Sequence, residues 1–358
     1  VYLAIPPSVF SDTVHSLGRS GIADEKSGAW SRVVVEKPFG KDSRSSQELT
    51  ETLGEVFDEE RTFRIDHYLG KEVIQNLLIL RFANLIFEPI WNRNYIDRVT
   101  INFSEDIGVE GRAGYFDSFG IIRDVVQNHL LQMVALTAME PPNTLDAYEI
   151  AQEKAKVLRA IKPLEIEDVV IGQYDGYLDD PEVPDDSTTE TYARATFQIR
   201  NARWSGVPFE LVAGKAMSSR KTEIEIEFRY LPYSIFRDVG VENNTLRIRV
   251  QPNESIELLV NNKRPGLGLD ISQVSLNMLY HREFTEQLPE AYERLLLDVL
   301  RGERALFIQH EELAAAWDLV TPLLHRLDRG ELQPVGYPRG SDGPSAADEE
   351  RLGAQINA

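Results

Sequence analysis

Arg64-Ile-Asp-His-Tyr-Leu-Gly-Lys-Glu72 is the stretch around which the rest of the sequence is organised. A short strand is predicted over residues 61–65, and apolar residues at helical spacing predict a helix over residues 71–87. The chain turns at Gly70, so an acid, an imidazole, a phenol and an ammonium crowd a strand end that leads into a helix N-terminus. Such a place suits an anion, because free N–H groups and the helix dipole favour negative charge there. By composition alone, a solvated strand–turn–helix junction would be preferred.

The composition is that of an ordinary globular protein, with 358 residues of which 42% are hydrophobic. This length is enough for two domains or one large one. The net charge of −20 disfavours nucleic acid and anionic membranes as partners. The chain has no cysteine, which excludes disulfides and thiolate metal sites. The sequence contains no run of 18 apolar residues, so no membrane-spanning helix is predicted.

Two buried strands are predicted before the opening stretch, at residues 1–5 and 33–36, separated by a polar segment. This order is typical of the strand–crossover–strand unit of a parallel sheet. No glycine-rich strand-to-helix turn precedes it, so the pyrophosphate-binding fingerprint of a dinucleotide fold is missing from the sequence. Residues 1–60 are therefore interpreted as the last part of a doubly wound, Rossmann-type domain whose first strands are absent.

Strands dominate the second half of the chain, at spacings typical of hairpins. We predict a large, mostly antiparallel sheet with helices on one face, which is an α+β domain over residues 61–358. The fold class is thus α/β plus α+β, with a domain boundary at residue 60. The acidic, turn-rich residues 172–187 are interpreted as a surface excursion. The strands are predicted at residues 191–200, 208–213, 222–230, 246–250 and 255–260.

The most regular helical pattern covers residues 115–139 and carries His129 on its apolar stripe. A histidine on such a stripe is more often packed in the core than catalytic. Asp124 lies five residues before His129, roughly 140° away around an ideal α-helix. If both side chains contact one ligand, the pocket must wrap around this helix or the helix must bend, near Gly120.

The opening nonapeptide resembles the active-site signature of glucose-6-phosphate dehydrogenase. Glu36-Lys-Pro-Phe-Gly40 is similar to the EKPFG block of that family, and Arg123–Gln132 is similar to its RDxxQNHLLQ block. The resemblance runs from Val1 to about Asn357. It implies an enzyme that oxidises glucose 6-phosphate at C1 to 6-phosphogluconolactone and transfers hydride to NADP. The choice of NADP over NAD rests on the habit of the family.

The resemblance also implies roles for individual residues. His129 would be the general base, which suits an imidazole whose unperturbed pKa lies near neutrality. Asp66 would fix its tautomer and stabilise the imidazolium, as the aspartate of a serine-protease triad does. Lys37 would lie between coenzyme and sugar, and no metal is expected. The substrate-binding residues would be Lys37, His67, Tyr68, Lys71, Glu105, Asp124, Lys215, Arg220 and Gln251.

Family members assemble through the large sheet, so the resemblance implies a homodimer or a dimer of dimers, in the cytoplasm. Some animal members hold a second, structural NADP on this sheet. Lys221 and Arg249 match that site, but Val212 and Glu225 replace basic residues, so no structural NADP is expected. Because the fingerprint is missing, the chain is expected to be N-terminally truncated and unable to reduce NADP alone.

One alternative belongs to another class of function. A chain without the dinucleotide fingerprint could be a non-catalytic sugar-phosphate-binding or regulatory subunit on the same fold. The presence of Lys37, Asp66 and His129 argues against it, because a scaffold has no physical need for that set.

Overall fold

The computed structural model describes residues 1–6, 9–24, 30–231, 233–236, 240–283 and 289–356. Its contacts divide the chain into two compact units, each assembled from three separate segments. The sequence prediction of 1–60 and 61–358 instead treats each domain as one continuous stretch, and it stays a prediction. The first unit comprises Val1–Gln75, Ile122–Glu165 and Pro289–Glu331, and the second comprises Asn76–Ile121, Ile166–Leu288 and Leu332–Ala358.

Twelve strands and ten α-helices form the described part of the chain, together with one π-helix, Ile122–Leu130. The strands are β1 (Tyr2–Leu3), β2 (Val33–Glu36), β3 (Thr62–Ile65), β4 (Ile96–Ser104), β5 (Val169–Tyr174), β6 (Tyr192–Gln198), β7 (Pro208–Gly214), β8 (Lys221–Phe228), β9 (Thr245–Gln251), β10 (Ser255–Lys263), β11 (Ile271–Leu279) and β12 (Val335–Tyr337). The helices are α1 (Phe10–Ser20), α2 (Ser43–Gly54), α3 (Glu72–Phe82), α4 (Ala113–Asp117), α5 (Leu131–Ala138), α6 (Ala147–Arg159), α7 (Tyr280–Glu283), α8 (Ala291–Arg301), α9 (His310–Asp328) and α10 (Ala346–Ile356).

The first unit contains a parallel sheet of three strands in the order β1-β2-β3. This confirms the predicted α/β remnant, although β1 has two residues rather than the five expected. The sheet packs on α8 through a core that includes Val34, Phe63 and Leu295. Burying each such side chain stabilises the fold by about 1.5–3 kcal/mol. This packing fixes the carboxyl ends of β2 and β3, where Lys37 and Asp66 follow.

The second unit contains a nine-stranded sheet in the order β11-β10-β9-β8-β4-β7-β6-β5-β12. The pairs β4–β7 and β5–β12 are parallel, and the other neighbours are antiparallel, which confirms the predicted mostly antiparallel sheet. In β4 the alternating apolar residues Val99, Ile101 and Phe103 are all buried. None of the helices in the described ranges has the length and apolar character needed to cross a membrane.

The predicted surface excursion over residues 172–187 is wrong at its start, because β5 continues through Gly172 to Tyr174. Gly172 suggested a turn, but it marks a close approach inside the sheet. A Cβ at this position would lie 2.9 Å from Pro344 and 3.0 Å from Tyr337.

The predicted helix over residues 71–87 ends earlier, at Phe82. The side chain of Asn84 donates hydrogen bonds to the carbonyls of Ile79 and Leu80, at 3.1 and 3.2 Å, and so terminates the helix. Leu85, which the pattern placed on the apolar stripe, is 86% exposed.

The predicted helix over residues 115–139 is not continuous. It consists of α4, a break, the π-helix and α5. Gly120 lies in the break with a φ of +71°, a conformation that favours glycine. A Cβ there would lie 2.3 Å from the Glu190 carboxylate, so the site accepts only glycine without rearrangement.

Candidate active site

A buried aspartate–histidine pair lies at the centre of the first unit. Asp66 follows β3, and His129 lies near the end of the π-helix. The two atoms His129 Nδ1 and Asp66 Oδ1 are 2.6 Å apart, and each residue is 2% exposed. Asp66 Oδ1 also accepts a hydrogen bond from the Tyr68 backbone N–H at 2.9 Å. The pair predicted from the sequence is therefore in contact.

The protonation states of Asp66 and His129 suit a general base and a carboxylate that stabilises its protonated form. Burial raises the pKa of the Asp66 carboxyl, but the adjacent His129 and the other donors outweigh it and hold that pKa at about 2. Burial lowers the pKa of His129 below its ordinary value, and only part of this is offset by Asp66. An ionised carboxylate only accepts hydrogen bonds, so His129 Nδ1 carries the proton and Nε2 keeps its lone pair.

Asp124 and His129 both lie next to the ammonium group of Lys37. Its Nζ donates to the Asp124 backbone oxygen at 2.8 Å and to Oδ1 at 3.0 Å, and it lies 3.3 Å from His129 Nε2. On an ideal α-helix these two residues would point roughly 140° apart. In a π-helix residues five apart are hydrogen-bonded neighbours, so Asp124 and His129 share one side. The expected difficulty is thus resolved by a change of helix type rather than by the bend at Gly120.

Lys37 is held at the carboxyl end of β2, where a doubly wound sheet presents residues to its ligand crevice. The peptide bond between Lys37 and Pro38 is cis, which the sequence left open. The next residue, Phe39, is fixed by its carbonyl, which accepts a hydrogen bond from Trp317 Nε1 at 3.0 Å. Trp317 is fully buried on α9.

The predicted substrate-binding residues His67, Tyr68 and Lys71 lie on the turn after Asp66. Hydrogen bonds from the N–H groups of Leu69, Gly70 and Lys71 to the third preceding carbonyl close this turn. Gly70 is required there, because a Cβ would lie 2.7 Å from the Ala291 carbonyl. The Lys71 ammonium lies 5.5 Å from the centre of the Tyr68 ring, and Tyr68 itself is buried.

The His67 ring lies against His129 with 4.8 Å between ring centres. Burial is the largest cause that lowers the pKa of His67, and the nearby His129 and lysines add to it, so that this pKa is about 4. His67 is therefore a neutral donor at pH 7, and the net positive charge on this turn comes from Lys71.

The sequence did not reveal one supporting residue, Tyr292. Tyr292 on α8 is parallel to the His67 ring at 6.3 Å, and its hydroxyl donates to Glu36 Oε2 at 3.2 Å. Glu36 also accepts a hydrogen bond from the Tyr2 hydroxyl. Tyr292 lies in a predicted helix, but no local pattern in the sequence indicates that it faces His67.

The second unit brings together two other predicted residues. The register of the parallel strands β4 and β7 pairs Ser104 with Gly214, so the next residue on each strand emerges at the same edge of the sheet. These residues are Glu105 and Lys215, whose Oε2 and Nζ atoms are 2.6 Å apart.

Arg220 and Gln251 lie at the same end of these strands as Glu105 and Lys215. This follows from the strand register, in which Ser104 pairs with Lys221 and Thr222 pairs with Gln251. Arg220 is exposed, and Gln251 is half-buried.

Lys221 and Arg249, which match the structural NADP site of some family members, both lie beside carboxylates. Lys221 lies 2.9 Å from Glu223, and Arg249 lies 3.5 Å from Glu257. Glu225 also has a cationic neighbour on this sheet, Arg247, at 2.5 Å.

Two family models match the chain. The family described as "Glucose-6-phosphate dehydrogenase, C-terminal domain" matches residues 78–354, and "Glucose-6-phosphate dehydrogenase, NAD binding domain" matches residues 1–76. The chain belongs to the glucose-6-phosphate dehydrogenase family. The recognition made on the nonapeptide is thereby confirmed.

Individual relatives fall in the same family. The chain is 52% identical to glucose-6-phosphate 1-dehydrogenase 1, chloroplastic, of Arabidopsis thaliana, over 97% of this chain and 62% of the relative. It is 50% identical to the cytoplasmic isoform of Solanum tuberosum, over 97% of this chain and 68% of the relative. A solved glucose-6-phosphate dehydrogenase in complex with its substrate glucose 6-phosphate has a TM-score of 0.90 and 44% identity, covering 99% of this chain and 74% of that one. The chain thus spans about 60% of the length of the first curated relatives that it matches.

Proposed function

We propose that this chain carries the substrate-oxidising site of a glucose-6-phosphate dehydrogenase. The substrate is glucose 6-phosphate in its cyclic form, oxidised at C1 to 6-phosphogluconolactone. The observation that carries the proposal is the contact between Asp66 and His129, with the Lys37 ammonium 3.3 Å from His129 Nε2 and hydrogen-bonded to Asp124. The similarity to the solved glucose-6-phosphate dehydrogenase in complex with its substrate glucose 6-phosphate supports this choice of substrate.

His129 removes the proton of the C1 hydroxyl through Nε2. Asp66 keeps Nδ1 protonated and stabilises the imidazolium that forms, because its carboxylate stays ionised against the ring. Positioned proton removal of this kind contributes roughly 10²–10⁴-fold to a rate.

His67, Tyr68 and Lys71 hold the phosphate. Lys71 supplies the positive charge, and neutral His67 supplies a hydrogen-bond donor without competing for protons at pH 7. Fixing the phosphate fixes the distance from it to C1, which aligns the reacting carbon with His129. Glu105, Asp124, Lys215, Arg220 and Gln251 are proposed as contacts to the sugar, on the strength of the family pattern.

NADP, when bound, supplies the hydride acceptor. The first unit fits such a group, because the carboxyl ends of its parallel strands carry Lys37 at the place where doubly wound sheets bind coenzymes. Lys37 would bind between the coenzyme and the sugar.

A non-catalytic sugar-phosphate-binding subunit accounts poorly for this site. Burying an ionised carboxylate costs several kcal/mol unless a partner compensates it. A subunit that only binds a phosphorylated sugar has no use for the Asp66–His129 pair at that cost.

We also propose a homodimer, or a dimer of dimers, that assembles through the nine-stranded sheet in the cytoplasm. Chloroplastic and cytoplasmic relatives are similar to this chain to almost the same degree, so the alternative to the cytoplasm is the chloroplast. Sedimentation equilibrium tests the oligomer, and a fluorescent fusion of the full-length gene product tests the compartment.

The activity is tested by following NADPH formation by the full-length gene product with glucose 6-phosphate. Asp66→Asn should lower turnover by at least roughly 10²-fold, because His129 loses the charge that stabilises its protonated form. Asp12→Asn, at an exposed position on α1, is the matched control and should leave turnover unchanged. No NADPH formation by the unaltered protein would refute the proposal.

A further inference from the structure

The Asp66–His129 pair has a third neighbour with metal-binding chemistry, His67. One ligand atom from each of Asp66, His67 and His129 lies within 4.8 Å of the other two. Two imidazole nitrogens and one carboxylate oxygen are a donor set that Zn²⁺ uses in proteins. No metal was expected from the sequence, in which the family resemblance assigned Asp66 and His129 to catalysis and His67 to substrate binding.

A second observation points to a ligand. Asp66 Oδ1 accepts two hydrogen bonds, whereas Oδ2 is buried and accepts none within the described part of the chain. A buried carboxylate oxygen without a partner is costly, and a cation bound there would remove that cost. The unpaired oxygen belongs to a residue that is 2% exposed.

The cluster must contract before its three ligand atoms can bind one ion. Zinc bonds to nitrogen and oxygen are about 2.0–2.2 Å long and zinc sites are tetrahedral, so two ligand atoms on one ion lie about 3.3–3.6 Å apart. Ligand atoms at the 4.8 Å limit of the cluster must therefore approach each other by roughly 1.3 Å. His67 is the half-buried member of the cluster, and its ring packs against the rings of Tyr68, His129 and Tyr292.

We propose that Asp66, His67 and His129 form an inhibitory site for Zn²⁺ or a similar divalent cation. The ion binds in place of the sugar phosphate, since it takes His67 from phosphate binding and engages the imidazole that would act as base. Binding of the ion does not depend on the proposed function, whereas the competition with glucose 6-phosphate rests on it.

The Lys37 ammonium lowers the affinity of this site for a metal ion. It lies 3.3 Å from His129 Nε2 and repels a second cation at short range. Removing that charge should strengthen metal binding even as it damages substrate binding. This opposite response separates a metal site from a general loss of structure.

Calorimetric titration of the full-length gene product with ZnCl₂, without sugar phosphate, tests the proposal. We expect one Zn²⁺ per chain at this site, with affinity at least roughly tenfold lower in His67→Asn. Lys37→Met should raise the affinity at least roughly tenfold. His15→Asn is the control, because His15 lies 3.0 Å from Glu55 and could hold zinc on the surface; it should leave this binding event unchanged.

Circular dichroism verifies that each variant is folded, and His67→Gln replaces His67→Asn if the latter is not. Zinc affinity that is the same in the His67 variant, or that is lost with His15→Asn, would overturn the site. In kinetics, Zn²⁺ should raise the apparent KM for glucose 6-phosphate and leave kcat unchanged. Intact zinc binding without any activity would overturn the proposed function but not the metal site.

Discussion

Asp124 and His129 contact the same ammonium, that of Lys37, although they lie five residues apart on one helix. They do so because residues 122–130 form a π-helix, in which residues five apart are neighbours. The two flanking charges act on His129 in opposite directions. Lys37 lowers the pKa of the imidazole, and Asp124 raises it.

The first prediction follows from these opposite effects. A general base works when it is neutral, so kcat/KM falls as the pH drops through its pKa. Lys37→Met should move this acid limb to higher pH, and Asp124→Asn should move it to lower pH. The pH profiles of kcat/KM for both variants and the unaltered enzyme provide the test.

The substrate phosphate also titrates near pH 6, but it is common to the three enzymes and cancels in the comparison. Shifts of the two variants in the same direction would show that these charges do not act on His129.

The second prediction concerns the phosphate. Lys71→Ala should raise KM for glucose 6-phosphate while hardly changing the slow oxidation of unphosphorylated glucose, because it removes a contact to the phosphate alone. Lys162→Ala, at an exposed position, is the control. Equal losses on both substrates would mean that Lys71 does not bind the phosphate.

The third prediction is about stability and pH. His67 has a pKa of about 4 in the folded protein and about 6.5 when unfolded, so the unfolded chain binds more protons between these values. Stability should therefore rise with pH from 4 to 6.5, by up to about 1.4 kcal/mol per pH unit from this residue. Guanidinium unfolding of His67→Asn should show a shallower rise than unfolding of His15→Asn. The same slope in both variants would contradict the assignment.

The fourth prediction concerns a second nucleotide. Glu225 and the carboxylates beside Lys221 and Arg249 oppose a polyphosphate on the large sheet. Equilibrium dialysis of NADP with the full-length gene product should therefore give one site per chain, and Arg249→Ala should leave this number unchanged. Two sites in the unaltered protein, reduced to one by Arg249→Ala, would overturn this expectation.

Much of the site was predictable because it is encoded in contiguous blocks. Asp66, Lys37 and His129 stand in three short motifs, and the carboxyl ends of the parallel strands β2 and β3 bring Lys37 and Asp66 together. Glu105 and Lys215 were predicted only through the family resemblance, and it is the register of β4 and β7 that places them side by side.

Other features depend on contacts between distant segments, which local patterns do not encode. The apolar pattern of residues 122–130 is the same whether they form a π-helix or an α-helix, so the pattern does not predict the π-helix. The contact between Tyr292 and His67 depends on how α8 packs against the parallel sheet. Gly172 has the appearance of a turn signal in sequence, but its meaning depends on Pro344 and Tyr337.

The central claim is that His129, supported by Asp66, removes the proton in a site that binds glucose 6-phosphate. The most direct measurement is turnover and glucose 6-phosphate affinity of His129→Asn in the full-length gene product. We predict turnover lower by roughly 10²–10⁴-fold, with affinity by calorimetry within a few-fold of the unaltered enzyme. Unchanged turnover in a folded His129→Asn enzyme would contradict the account.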